Sequence, residues 1–184
     1  MAANQGLRAV AVPSKPDNWL ARHSLLWFLV EKNLRLMQVR NAVARGDQRL
    51  QFDPQALGKN FRSDLYKLVR DAQTVAPIVA VVTFTYQIRR EQTPEQKLAA
   101  AQLAFYYQPY MTPDDLIGAF ERYNHIIREV VAETGAVLID GEYDIPGDST
   151  HFYDSVHFTD VGAAKMAERV THSLLEPIRK QIME

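Results

Sequence analysis

The sequence contains no cysteine. That absence excludes disulfides and thiolate metal sites, and it leaves the compartment open. There is no long run of one charge either: 21 Lys and Arg stand against 22 Asp and Glu, giving a formal net charge of -1. With a pI near 6.5, the chain lacks the basic footprint of a nucleic-acid binder or of a protein drawn to an anionic membrane. No apolar run approaches the ~20 residues of a membrane span. Met1-Ala-Ala-Asn-Gln-Gly has neither the charged n-region nor the long apolar h-region of a signal peptide. The expectation is a soluble, cytoplasmic protein that engages neither nucleic acid nor membrane. No zinc spacing, phosphate loop or dinucleotide fingerprint occurs, so no metal and no cofactor are expected. Neither an internal repeat nor a low-complexity tract is visible.

What is present suffices for one domain. With 184 residues and 47% hydrophobic content, the chain can bury a sizeable core, and residues 1–184 read as a single α/β domain. Leu7-Arg-Ala-Val-Ala-Val12 is a short strand-like run stopped by Pro13. From Asp17 to about Arg45 the pattern is helical, with Trp19, Leu20, His23, Leu26, Trp27, Val30, Leu34 and Met37 recurring at three and four, and Gly46 as the stop. His23 and Ser24 are adjacent on that helix and diverge by about 100 degrees, which prevents a base–nucleophile pairing. Leu50 to Pro54 reads as a loop, and Asn60 can cap a second helix with Phe61, Leu65, Leu68, Val69 and Ala72 inward.

Pro77 to Phe84 is the strongest strand signal. It is apolar on both faces, as a parallel strand covered by helices should be. Past its end, where open α/β sheets hold ligands, Thr85, Tyr86, Arg89 and Arg90 could line a cleft; a solvated loop is the simpler account. Thr93-Pro-Glu-Gln96 is a capping box opening a helix towards Phe105, and Tyr106 to Tyr110 is an aromatic segment suited to packing or to covering an acyl pocket. Thr112-Pro-Asp-Asp115 repeats the start signal for a long helix with Leu116, Phe120, Tyr123, Ile127, Val130 and Val131 inward and His125 exposed. Gly135 ends it, and Ala136 to Asp140 is the next strand. Gly141 to His151 is a long loop; Asp140 before it and Glu142, Asp144 and Asp148 within it could be cation ligands, but their spacing fits no calcium loop and a polar loop beyond the sheet is the better reading.

The chemistry concentrates near the C-terminus, in Phe152-Tyr-Asp-Ser-Val-His-Phe-Thr-Asp-Val-Gly162. Asp154 lies three residues before His157, a spacing at which a tight loop can aim the imidazole at a cleft while the carboxylate holds Nδ1–H. Thr159 is a good N-cap, and Asp160 occupies the first turn of a helix whose Ala163, Ala164, Met166, Ala167, Val170 and Leu174 form an apolar stripe.

Asp154-Ser-Val-His157-Phe-Thr159-x-x-Gly162 resembles the last conserved block of the SGNH/GDSL hydrolases. Tyr123-Asn124 through Val130, Gly135 to Asp140, and Trp19 to Trp27 are similar to segments that precede it in that family. The resemblance implies a flavodoxin-like three-layer sandwich and an ester hydrolase in which His157 is general base and Asp154 orients it. The family's Gly-Asp-Ser nucleophile block and its oxyanion-hole Gly and Gly-x-Asn-Asp are absent from this sequence. The implied fold therefore lacks the N-terminal strands, and the chain is a truncated member or draws its nucleophile from elsewhere. Ser14, after the first strand-like run, is the candidate by placement; Ser155 is too close to His157, and Ser24, Ser63 and Ser173 fall on helices. Water activated directly by the pair is a second route. The expected substrate is a small-molecule ester. The contrasting expectation is a non-catalytic, truncated domain acting as an oligomer or interaction module. An apolar strand left without its neighbour is a template for pairing, so a homodimer is expected.

Overall fold

The computed structural model describes residues 23–31, 33, 34, 37, 53–108 and 111–183, with the backbone alone at 54–56 and 106. The strand expected at Leu7 to Val12, Ser14, and much of the helix expected from Asp17 lie outside the described residues. Where that helix is described, residues 25–31 are helical as the periodicity predicts, but Leu26, Trp27, Val30, Leu34 and Met37 are exposed, not packed on the core.

Helix α1 runs from Pro54–Gln73. Pro54 stands first in it, where its missing N–H has no partner to lose, so Asn60 is inside the helix and does not cap it. Val69 is buried, and Phe61 and Leu65 pack around it, but Leu68 is turned outward and exposed. Gly58 permits the close approach of the next long helix: a Cβ there would meet Ile126 Cδ1 at 2.1 Å.

Strand β1, Ala80–Val82, pairs in parallel with β2, Val137–Ile139, in the register Ala80↔Val137, Val81↔Leu138, Val82↔Ile139. Bonds from Val137 N to the Val79 carbonyl (2.8 Å) and from Thr83 N to the Ile139 carbonyl (3.1 Å) extend the ladder at both ends. The strand expected from Pro77 to Phe84 is thus reduced to its apolar centre. Among the described residues β1 has β2 as its only strand neighbour.

Three helices connect the strands: α2 (Pro94–Ala100), α3 (Ala104–Tyr107) and α4 (Pro113–Thr134). Thr93 with Gln96, and Thr112 with Asp115, form the reciprocal capping boxes that the sequence signals. The helix expected to reach Phe105 breaks at Ala101 and resumes as the short α3. Gly135 closes α4 in the left-handed region, φ 70°, where a side chain would be strained. Ile126 and Val130 of α4 pack with Val69 against Val79 and Val81, while Leu116 and Ile117 at its start join Tyr86, Ile88, Ala100, Ala101 and Phe105 in a second cluster. This second cluster anchors the segment after β1, the segment that leads to the site.

The last helix, α5 (Asp160–Met183), packs along β2. Its expected stripe is only partly realised: Met166, Val170 and Leu174 are half-buried, Ala163, Ala164 and Ala167 are exposed, and Gly162 alone is buried. The described residues thus form a mixed, mostly helical fold around a two-strand parallel sheet. None of its helices is long and apolar enough to cross a membrane.

Candidate active site

The loop between β2 and α5 builds the Asp154–His157 pair from local hydrogen bonding. Asp154 Oδ1 accepts from the amides of Val156 and His157, both at 3.0 Å, in an Asx turn that fixes its carboxylate. His157 Nδ1 then lies 2.9 Å from Oδ1 and 2.8 Å from Oδ2. Burial acts to raise the Asp154 carboxyl, but the two amides and the imidazole outweigh it and hold the group below the usual carboxylate range. An ionised carboxylate at Nδ1 places the proton there and leaves Nε2 basic. Among the described residues Nε2 has no hydrogen-bond partner, and the side chain is 71% exposed against 23% for Asp154.

The same turn occurs immediately before it. Asp148-Ser-Thr-His151-Phe and Asp154-Ser-Val-His157-Phe are one pattern repeated after six residues. Asp148 Oδ1 accepts from the amides of Thr150 (2.9 Å) and His151 (3.1 Å) and meets His151 Nδ1 at 2.7 Å. The two units pair through an antiparallel bridge between Phe152 and Phe158, whose rings lie 4.9 Å apart. The expectation of no internal repeat is therefore corrected: a five-residue unit, Asp-Ser-x-His-Phe, occurs twice, far shorter than a structural repeat that builds a domain. The two histidines differ in surroundings, since His151 is buried and His157 is exposed.

The paired turns are locked onto α5 and the sheet. Thr159 caps α5 by accepting from Gly162 N at 3.3 Å and donates to the Thr150 carbonyl at 2.5 Å. Gly162 sits so close to the loop that a Cβ would meet the His151 carbonyl oxygen at 2.1 Å. Gln87 N donates to the Ser155 carbonyl at 2.9 Å, tying the loop to the segment beyond β1.

Beside the loop lies an open cleft of about 570 Å³. Asp148, Ser149, Tyr153 and Asp154 form one wall, Ala99, Ala100 and Leu103 line it from α2 and the turn that follows, and Gln87, Gln92, Gln96 and Gln102 contribute amides. His157 is not part of its lining. Of the serines, Ser14 lies outside the described residues, Ser155 is buried, and Ser63 and Ser173 are on helices as expected, but Ser24, expected within a helix, instead precedes the helical residues 25–31, and its Oγ accepts from Trp27 N. No serine among the described residues hydrogen-bonds to His157.

Of the residues past β1 expected to line a cleft, Thr85, Tyr86 and Arg89 form neither a cleft lining nor a solvated loop. Tyr86 and Arg89 are buried, and their partners come from beyond β2. Tyr86 Oη donates to Glu142 at 2.8 Å and meets Tyr143 Oη at 3.0 Å, while Arg89 donates to the Ile145 carbonyl at 2.8 Å and lies over the Tyr86 ring. Burial, reinforced by the bonds to Tyr143 and Glu142, pushes the Tyr86 phenol far up. Thr85 is also buried and accepts from Arg169, whereas Arg90 is exposed and pairs with Glu121. Arg128 holds Asp140 through two bonds and Glu142 through a third. These acids thus serve as internal counter-ions, and among the described residues no group of three metal-ligating side chains is assembled. His125 is exposed as expected and pairs with Glu129.

Comparison of the chain with protein-family models, with curated proteins and with solved structures gave no match.

Proposed function

We propose that this chain is an ester hydrolase of SGNH type built on Asp154 and His157. The observation that carries the reading is the imidazole held through Nδ1 by both oxygens of an ionised carboxylate, with Nε2 unpartnered and open to a reactant. In this reading His157 Nε2 takes the proton of the attacking hydroxyl and returns it to the leaving alcohol, and Asp154 stabilises the imidazolium in between. Ser14 is the proposed nucleophile, and the acyl-enzyme it forms is cleared by water. Water activated directly by the pair is the slower route, without a covalent step. The parallel strands, with α4 against β1 and α5 along β2, supply part of a flavodoxin-like three-layer sandwich in the same proposal. Small-molecule esters are its substrates.

The test is hydrolysis of p-nitrophenyl acetate by the purified chain beside His157→Ala and Ser14→Ala. Loss of about 100-fold or more in the first variant supports the dyad, and a matching loss in the second supports Ser14. Equal turnover in wild type and His157→Ala overturns the reading.

One observation favours a second reading, a non-catalytic oligomeric module. Leu175, Ile178 and Ile182 recur along α5 and are exposed, and β1 keeps one edge without a strand neighbour among the described residues. A homodimer would bury this surface.

A further inference from the structure

The cleft beside Asp154 is chemically specific. Its volume, about 570 Å³, falls within the ~300–1,000 Å³ of small-molecule sites. None of its lining residues is Lys, Arg or His, and two are Asp. The Asp148 carboxyl, like that of Asp154, is held below the usual range, principally by His151, against the opposing effect of burial. Two ionised carboxylates, with no Lys or Arg in the lining, disfavour phosphates, sulfates and free acids. An acyl chain is equally ill-suited, because it would lie against amides and carboxylates whose hydration it displaces without return.

Several polar groups at the cleft are unspent. Gln92 is fully used: its Oε1 accepts from Arg89 N, and its Nε2 donates to the Gln87 and Gly147 carbonyls. Gln96 uses only Oε1, on Thr93 N, which leaves Nε2 free. The side chains of Gln87, Gln102 and Ser149 make no hydrogen bond among the described residues, and Asp148 Oδ2 is likewise without one. The apolar part of the lining comes from Ala99, Ala100, Leu103 and Phe152, and Tyr153, also in the lining, is 74% exposed.

From this arrangement we infer that the cleft binds a neutral saccharide. Planar amides can take up neighbouring hydroxyls as paired donor and acceptor, and the ionised Asp148 carboxylate can accept from a hydroxyl through Oδ2. The C–H face of a sugar ring suits these apolar lining residues and the electron-rich face of an aromatic ring such as that of Tyr153. Such a ligand presents many hydroxyls and no charge, matching the unspent donors and acceptors and escaping the repulsion from Asp148 and Asp154. Binding needs no catalysis. Only the corollary that the substrate is an ester carried on a saccharide rests on the hydrolase reading.

The experiment is saturation-transfer NMR and calorimetry of the His157→Ala chain with neutral xylo-, cello-, malto- and chito-oligosaccharides, and with oligogalacturonate as the anionic control. Binding of at least one neutral series, with none of the anionic one, is expected. Gln87→Ala with Gln102→Ala should weaken it about tenfold or more. Ala99→Trp, on an exposed helical position, should block the cleft, and it serves if the double variant fails to fold. No neutral series binding to the folded chain, or binding indifferent to Ala99→Trp, overturns the inference. Binding without any p-nitrophenyl acetate turnover in the wild type would retain the saccharide site and remove the hydrolase, and turnover without binding would do the reverse.

Discussion

Asn124, in the middle of α4, brackets the backbone of Phe84 just beyond β1. Its Oδ1 accepts from the Phe84 amide at 2.6 Å, and its Nδ2 donates to the Phe84 carbonyl at 2.9 Å. The side chain is completely buried. It thereby finishes the strand's hydrogen bonding where the ladder to β2 has ended, and it fixes the direction in which the chain leaves towards Tyr86 and Gln87.

Asn124→Ala should therefore destabilise the fold by about 2–4 kcal/mol, since two backbone groups lose their partners in a buried site. Asn124→Asp should not rescue it, because a carboxylate accepts from the amide but repels the carbonyl. Urea unfolding, read as a lower midpoint at unchanged slope, checks this. Midpoints equal to wild type would show that water replaces the amide.

What the sequence could reveal was decided by the range of the interaction. Thr93 with Gln96, Thr112 with Asp115, Gly135, and Asp154 with His157 each act over a few residues, so the letters state the geometry. Tyr86 and Arg89 read as surface residues because their partners, Glu142 and Ile145, lie beyond an intervening three-helix connection. Asn124 stands in the sequence within the Tyr123 to Val130 segment that carries the resemblance, but its hold on Phe84, forty residues away, is not written in the local letters for the same reason. The periodicity of α5 was legible, but which of its faces is covered depends on β2 and on the loop pressed against Gly162. The second Asp-Ser-x-His turn is legible in the letters, because it too is closed by bonds within four residues.

Gly162→Ala sets two effects against each other. Ala in a helix is favoured over Gly by about 1 kcal/mol, but the new Cβ would lie 2.1 Å from the rigid His151 carbonyl. Steric conflict should win, lowering stability by about 1–3 kcal/mol and displacing the paired turns from α5. Thermal unfolding decides the sign, and a stabilised variant would show that the loop yields.

Asp154→Asn separates architecture from catalysis. The amide oxygen can still accept from Val156 and His157 N, so the turn should persist and the melting temperature should change little. The imidazolium, however, loses its counter-charge, and esterase turnover should fall by about 10³–10⁴-fold. Full turnover in a folded variant would exclude Asp154 from the proposed mechanism.

Association of the chain should depend on α5. Ile178 and Leu175 are 43% and 42% exposed, and replacing both with Lys should convert a dimer into a monomer without loss of helix. Sizing with light scattering across micromolar concentrations measures it. A wild type that is monomeric throughout would remove the dimer.

Acid should weaken the fold through the carboxylates that the native state keeps ionised, with Asp140 the clearest contributor. The bonds from Arg128, helped by the Gly141 amide and the Thr83 hydroxyl, overcome burial and lower it from 3.8 to about 2. Because the folded value is below the unfolded one, the unfolded chain binds more protons between them, and stability must fall as pH drops through that window. The contribution is complete above about pH 4 and is lost as pH passes about 2, and exposure of the Asp140–Arg128 pair keeps it modest. Asp148, Asp154 and Glu121 are shifted in the same direction, so Asp140→Asn should flatten the acid limb without abolishing it. Urea midpoints of wild type and variant at about pH 5 and about pH 2.5 give the comparison. The variant should begin less stable and lose less on acidification; an equal loss in both would mean that Arg128 does not hold Asp140 ionised in solution.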